Sequence, residues 1–280
     1  MATRYGRETL VYYGPVTGRK WQLQGPGQEN HPVTLLRSPK GFFGTGLKVN
    51  RRAAPRSRVS RLVSVVPEPL TLELTVDIKA GTHEETRRVV EQFKADWPAS
   101  SAQWDALPPT GRLALNDGHG LWKYLDVFRT DRFEDLIGIA PMAVGKAKLM
   151  IIASAEDPFP YGDYEPIRMD VQPGGWRDVE LFNDGTVPAS PRFHWKGRPA
   201  TLKFKHGREF EVKVSSEALI DFSPTELVVT EGNMAKPIIT TWNHDPGFVV
   251  PGNSKATFTF SSDTAGVGTI HMPPRWEEFY

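Results

Sequence analysis

Cysteine is absent from the 280-residue chain. That excludes a disulfide scaffold, cysteine-ligated zinc, iron–sulfur clusters and a thiol nucleophile. An excess of one charge is also missing. Lys and Arg number 34 against 33 Asp and Glu, a formal net charge of +1, so neither a polybasic nucleic-acid coat nor an acidic disordered tail is expected. The longest apolar run, near residues 149–153, falls far short of the ~18 residues of a membrane span. No membrane insertion is expected. The opening Met1-Ala2-Thr3-Arg4-Tyr5-Gly6-Arg7-Glu8 has no apolar core of a secretory signal, and the expectation is a protein soluble when made.

Short strands and turns are abundant. Gly and Pro number 25 and 24, well above the average share of about 12%. Hydrophobic residues still make up 39% of the chain and eight are Trp, enough apolar surface to offset the entropy of ordering. Long helical bundles are excluded. The clearest strand is residues 70–79, where Leu70, Leu72, Leu74, Val76 and Ile78 alternate with Thr71, Glu73, Thr75, Asp77 and Lys79. Period-2 alternation puts the first set on a buried face and the second in water. Residues 59–66 read as a strand before it. One helix follows, predicted over 83–97: Thr82-His83-Glu84-Glu85 is a capping box, Thr86, Val89, Val90, Phe93 and Trp97 recur at helical spacing, and Pro98 ends the run.

Strands are also expected at 111–115, 121–130 and 146–154, the first two joined by Asn116-Asp117-Gly118. Residues 156–166 hold three prolines and four carboxylates without periodicity, and the domain boundary is placed there, giving domains 1–160 and 161–280. Beyond it, strands are expected at 179–182, 192–195, 200–204, 209–214, 218–222, 227–230, 237–242, 256–260 and 268–271. The expected fold is mainly β: an N-terminal β domain with one packed helix, then an antiparallel β-sandwich or jelly roll. Phe193, Trp195, Leu202, Phe204, Phe258 and Phe260 should face its interior.

Catalytic signatures fail on inspection. Gly14-Pro15-Val16-Thr17-Gly18-Arg19-Lys20-Trp21 has three residues between its glycines and Trp after the lysine, so it reads as a turn and not a phosphate loop. Gly252-Asn253-Ser254-Lys255-Ala256 leads into a strand rather than the helix of a nucleophile elbow. The seven histidines are dispersed, and Asp157, Asp163 and Glu165 lack the graded spacing of a calcium loop. Neither catalysis, nor a metal, nor a cofactor is expected. Trp242, Asn243 and His244 combine an aromatic face with polar groups and are the candidate glycan contact. A glycosidase would need a close carboxylate pair in a groove, and no such pair stands out.

Charge placement says more. Between Asn30 and Pro67 lie eight basic residues (Arg37, Lys40, Lys48, Arg51, Arg52, Arg56, Arg58 and Arg61) and no acid. Residues 156–184 reverse this, with eight acids against Arg168 and Arg177. Two solvated loops would produce the same pattern. So would a contact between copies or with a partner, for which Arg51, Arg52, Arg56 and Arg58 are the candidate interface residues. Specific nucleic-acid binding is not expected, because the basic stretch lacks interleaved stacking aromatics beyond Phe42-Phe43.

The chain resembles the distal tail protein family of long-tailed bacteriophages. In the second half, Asn183-Asp184-Gly185-Thr186-Val187-Pro188-Ala189-Ser190-Pro191-Arg192-Phe193 resembles a recurring strand entry of that family. Ala218-Leu219-Ile220-Asp221-Phe222-Ser223-Pro224, Val250-Pro251-Gly252-Asn253-Ser254 and Pro274-Arg275-Trp276 resemble its short strand, its late turn and its ending. Trp21-Gln22-Leu23 and Asp157-Pro158-Phe159 are looser likenesses in the first half. The resemblance implies a homohexameric ring built by the N-terminal domains between tail tube and tail tip, with galectin-like C-terminal domains. It also implies contacts with tail tube, tape-measure and tail-tip hub proteins, no catalytic residues, production in the host cytoplasm and a place in the virion.

Overall fold

A computed structural model describes residues 8–36, 39–42, 46–53, 60–97, 110–118, 120–136, 145–206, 208–223, 228–231, 237–238 and 247–278. The chain divides into two compact units, Met1–Pro160 with Glu277–Tyr280, and Tyr161–Trp276. The first contains β1 (Thr9–Tyr13), β2 (Lys20–Gln24), β3 (Val33–Leu35), β4 (Leu47–Ala53), β5 (Ser60–Pro67), β6 (Leu70–Lys79), α1 (His83–Ala95), β7 (Gly111–Asn116), β8 (Trp122–Arg129), β9 (Glu134–Asp135) and β10 (Lys146–Ala155). Antiparallel pairing runs β2-β1-β7-β8-β10-β6-β3, with β9 on β10. β3 lies beside β2, so the sheet curls nearly closed.

β6 is central because its alternation supplies a continuous apolar face. It pairs with β10 from Lys146↔Lys79 to Ala155↔Leu70, and Leu72, Leu74, Val76 and Ile78 are fully buried. Thr75 departs from the expected pattern: it is buried too, so the outer face of β6 is covered at mid-strand. α1 starts as predicted. The Glu85 amide donates to Thr82 Oγ1 at 3.1 Å and the Thr82 amide to Glu85 Oε2 at 3.0 Å, a cap that contributes about 1 kcal/mol. Its Thr86, Val89, Val90 and Phe93 are buried, and the helix packs on β6 and β10. The helix ends at Ala95, two residues before the predicted 97. Asp96 caps it and Trp97 leaves it to stack on Tyr12, ring centroids 3.9 Å apart.

The Gly14–Gly18 segment is the turn joining β1 to β2, closed by the Gly14 amide donating to the Arg19 carbonyl at 3.0 Å. β4 and β5 stand outside the curled sheet as a two-stranded antiparallel ladder, from Leu47↔Pro67 to Ala53↔Ser60. β1 to β4 and β9 were not resolved by the sequence pattern. β1, β2 and β3 run only three to five residues, too short for alternation to stand out.

The second unit contains β11 (Tyr161–Gly162), β12 (Ile167–Val171), β13 (Arg177–Asn183), β14 (Arg192–Gly197), β15 (Ala200–His206), β16 (Arg208–Val214), β17 (Glu217–Asp221), β18 (Val228–Glu231), β19 (Pro237–Ile238), β20 (Ser254–Ser262) and β21 (Gly266–His271). One sheet runs β12-β21-β14-β17-β18-β19 and the other β13-β20-β15-β16. They share one core, and Phe193, Trp195, Leu202, Phe204, Phe258 and Phe260 all lie in it. It is a β-sandwich. Of the predicted strand 237–242, Pro237–Ile238 is a strand, and 239–242 lie outside the described residues. β12 escaped the sequence reading because its Ile167 is exposed and only Val171 is fully buried.

Three of the second-half motifs behind the family resemblance meet in space. Asn183 is fully buried. Its Nδ2 donates to the carbonyls of Val187 and Val250 at 2.8 and 3.0 Å, and its Oδ1 accepts from the Gly185 amide at 3.1 Å. The Asn253 amide donates to the Gly185 carbonyl at 2.9 Å and the Val187 amide to the Arg275 carbonyl at 3.0 Å. A Cβ on Gly185 would sit 2.0 Å from the Arg275 carbonyl oxygen, so glycine is required by close approach. Three separate stretches of sequence thus form one structural knot.

Candidate assembly surfaces

The basic stretch is built on the β4–β5 ladder, hereafter the arm. Arg51 and Arg52 lie on β4, just past a bulge between Asn50 and Arg51. Arg52 pairs with Arg61 of β5, and directly opposite residues in an antiparallel ladder share a face. Among the described residues no further strand joins β4 or β5. Arg56 and Arg58 lie outside the described residues. Lys40 does not belong to this surface, because its Nζ is 2.9 Å from Glu73 Oε2.

The acidic stretch also separates on folding. Glu180 pairs with Lys255 at 2.6 Å and Asp178 accepts from Thr259 Oγ1 at 2.6 Å, both across the β13–β20 ladder. Asp157 accepts from the Phe159 amide at 3.2 Å. Asp163, Glu165 and Asp184 instead gather around one cleft of about 230 Å3, with Tyr164, Ile167 and Phe182. Among the described residues no group of three His, Asp or Glu gathers to hold a metal ion, and no helix is long and apolar enough to cross a membrane. Trp242, Asn243 and His244 lie outside the described residues.

Two polar arrangements escaped the sequence reading. On the outer face of β14, β17 and β21, Arg192 pairs with Asp221 at 2.9 Å, His194 with Glu217 at 3.3 Å, and His271 Nδ1 lies 3.2 Å from the Tyr164 hydroxyl. Burial holds the His271 imidazole below its ordinary value, and the neighbouring His194 and Arg192 add to the effect. In the first unit the Asp96 carboxylate is fully buried. It accepts from the Thr17 amide at 2.8 Å, the Thr17 hydroxyl at 2.7 Å and Trp21 Nε1 at 2.6 Å, while the Tyr12 hydroxyl donates to the Asp96 carbonyl. Burial first, and then Asp96, raises the Tyr12 phenol far above its ordinary value. These groups fix α1 to the β1–β2 hairpin.

No protein-family model matches the chain, and no curated protein matches it in sequence. Solved structures do. The chain is similar to the Dit protein of phage SPP1, described as a paradigm of the hub adsorption apparatus in phages infecting Gram-positive bacteria. That match has a TM-score of 0.52 at 11% identity and covers 96% of this chain and 98% of that one. It is similar also to a chain of the phage P2 baseplate in its activated conformation with Ca, at TM-score 0.50 and 9% identity over 94% and 98%. The same baseplate with Sr gives 0.51 and 9% over 95% and 98%. At these identities the likeness shows the fold: a mainly β fold shared with these phage hub and baseplate structures.

Proposed function

We propose that the chain is a structural component of a bacteriophage tail, a distal tail protein. In this reading it closes into a homohexameric ring where tail tube meets tail tip and serves as the assembly hub for host-attachment components. The observation that carries the reading is the likeness to the SPP1 Dit protein over nearly the full length of both chains. The two-domain division, with a ring-forming unit at 1–160 and a galectin-like sandwich at 161–280, belongs to it. So do partners of tube, tape-measure and tip-hub type, production in the host cytoplasm, a virion location and the absence of catalysis.

The arm supports this reading physically. An isolated two-stranded hairpin is marginal in water, and this one concentrates Lys48, Arg51, Arg52 and Arg61 with no acid in residues 31–66. A closed heterologous interface joins two different patches, so a basic patch need not meet itself. Exposed ion pairs contribute roughly 0–1 kcal/mol each, so apolar contacts supply most of the ring's stability and charge sets register. Substituting Arg51→Glu and Arg52→Glu together should leave the thermal unfolding of the subunit within a few degrees of wild type. Assembly, followed by light scattering at low salt, should weaken at least tenfold. Unchanged assembly across ionic strength would remove the arm from the interface.

A further inference from the structure

The turn between β1 and β2 presents an apolar side chain to solvent on a stiff mount. Val16 at its tip is 59% exposed. Thr17 beside it is clamped by the buried Asp96 carboxylate through both its amide and its hydroxyl, and the Gly18 amide donates to the Gly14 carbonyl at 3.0 Å. The clamp holds the tip in one conformation, which lowers the entropy lost on docking. At the other end of the same hairpin the curled sheet stands ajar. β2 and β3 lie side by side without pairing, and a slot of about 310 Å3 opens there, lined by Leu23, Gly25, Gln28, Leu35 and Leu36. Leu36 is 43% exposed. Gln28 Nε2 donates to the Val33 carbonyl at 2.6 Å, which fixes the amide, while its Oε1 is buried with no hydrogen-bond partner among the described residues. A buried acceptor left open beside an apolar slot calls for a donor from an occupant.

We propose that the Val16 turn of one copy docks in the β2–β3 slot of the next. The proposal rests on the ring reading above and places closure on the first unit, which that reading assigns to the ring. Tyr13 pairs with Lys20 at the turn end of the hairpin and Leu10 with Gln24 at the slot end, so β2 separates tip and slot by about 13 Å. They cannot meet within one chain. Their contact is therefore head-to-tail, the heterologous kind that generates rings. The two ends also differ in charge. Arg19 and Lys20 follow the tip, whereas Glu29 adjoins Gln28, and Glu8 precedes Thr9, which packs on Gly25. Among the described residues none of these four forms an ion pair. Lys40, the next described base after Leu36, is already bound to Glu73. Val16 against the slot leucines supplies affinity, and the opposite charges fix direction.

The absence of cysteine allows a direct test. The full chain is prepared as Val16→Cys with Leu36→Cys, and as a control with Val16→Cys and Leu121→Cys, since Leu121 is 40% exposed and lies outside the slot. Each is oxidised and read on a non-reducing gel, with assembly mass measured by light scattering in parallel. The expected result is a ladder of intermolecular disulfide-linked oligomers from the first pair and not from the control. Val16→Asp should weaken assembly by about tenfold or more, with thermal unfolding within a few degrees of wild type because the replaced side chain is exposed. Assembly with equal cross-linking of the two pairs, or with none, overturns the docking and leaves the ring reading standing. Undiminished assembly of Val16→Asp does the same. A chain that stays monomeric under all conditions overturns the ring reading and this proposal with it.

Discussion

Replacing Asp96 with alanine is expected to destabilise the first unit by about 3–5 kcal/mol, because it strands the Thr17 amide and the Trp21 Nε1 in a buried setting, where each unmade bond costs about 1–3 kcal/mol. The Tyr12 hydroxyl would keep its partner, the Asp96 main-chain carbonyl. The loss therefore falls on the β1–β2 hairpin rather than on the helix end itself. Asp96→Asn retains one acceptor oxygen and should cost less than Asp96→Ala. The carboxylate packs closely on Gly14, where an added Cβ would lie 2.1 Å from Asp96 Cγ, so alanine also leaves a void there. Urea unfolding followed by the fluorescence of the buried Trp21 and Trp97 reads the change. An Asp96→Ala variant within 1 kcal/mol of wild type would refute this role.

Asn183→Ala should be nearly as severe for the second unit, about 2–4 kcal/mol. The deleted amide satisfies the Val187 and Val250 carbonyls and the Gly185 amide at once, and an alanine leaves these buried groups without it. Asn183→Asp is the sharper probe. It keeps the acceptor for Gly185 but turns a second oxygen toward two carbonyls, so it should be at least as destabilising as alanine. Thermal unfolding of the full chain should show the transition of the second unit falling while that of the first stays in place. Equal stability of Asn183→Asp and wild type would contradict the hydrogen-bond pattern.

These two residues show where sequence reading succeeds and where it stops. β6 was legible because its five apolar residues alternate without interruption, and α1 because a capping box is local to four residues. Phe193 with Trp195, and Phe258 with Phe260, could be assigned inward because a spacing of two fixes the face. Asp96 was not legible. Its partners Tyr12, Thr17 and Trp21 lie 75 to 84 residues away, and nothing near a helix end distinguishes a buried carboxylate from a solvated one. Asn183 and Gly185 were legible as a motif but not as a knot, since their partners at Val250 and Arg275 come from the far end of the domain.

Charge behaved in the same way. The acid-free stretch was visible as composition, yet Lys40 is neutralised by Glu73 of β6, 33 residues on. Eight acids in residues 156–184 read as one field. The ladder of β13 with β20 gives Glu180 and Asp178 partners, while Asp163, Glu165 and Asp184 collect at a cleft. Linear density of charge does not predict which members remain unpaired after strands alternate their faces. The candidate site was therefore legible as two opposite stretches, and only topology turned them into an arm and a cleft.

The central claim is closure of identical copies into a ring, and the mass of the purified chain in solution tests it most directly. Native mass spectrometry at micromolar concentration and low salt is predicted to show six copies of the 31.3 kDa chain, about 188 kDa, with dissociation as salt is raised. A single species at 31.3 kDa across concentration and ionic strength would contradict it.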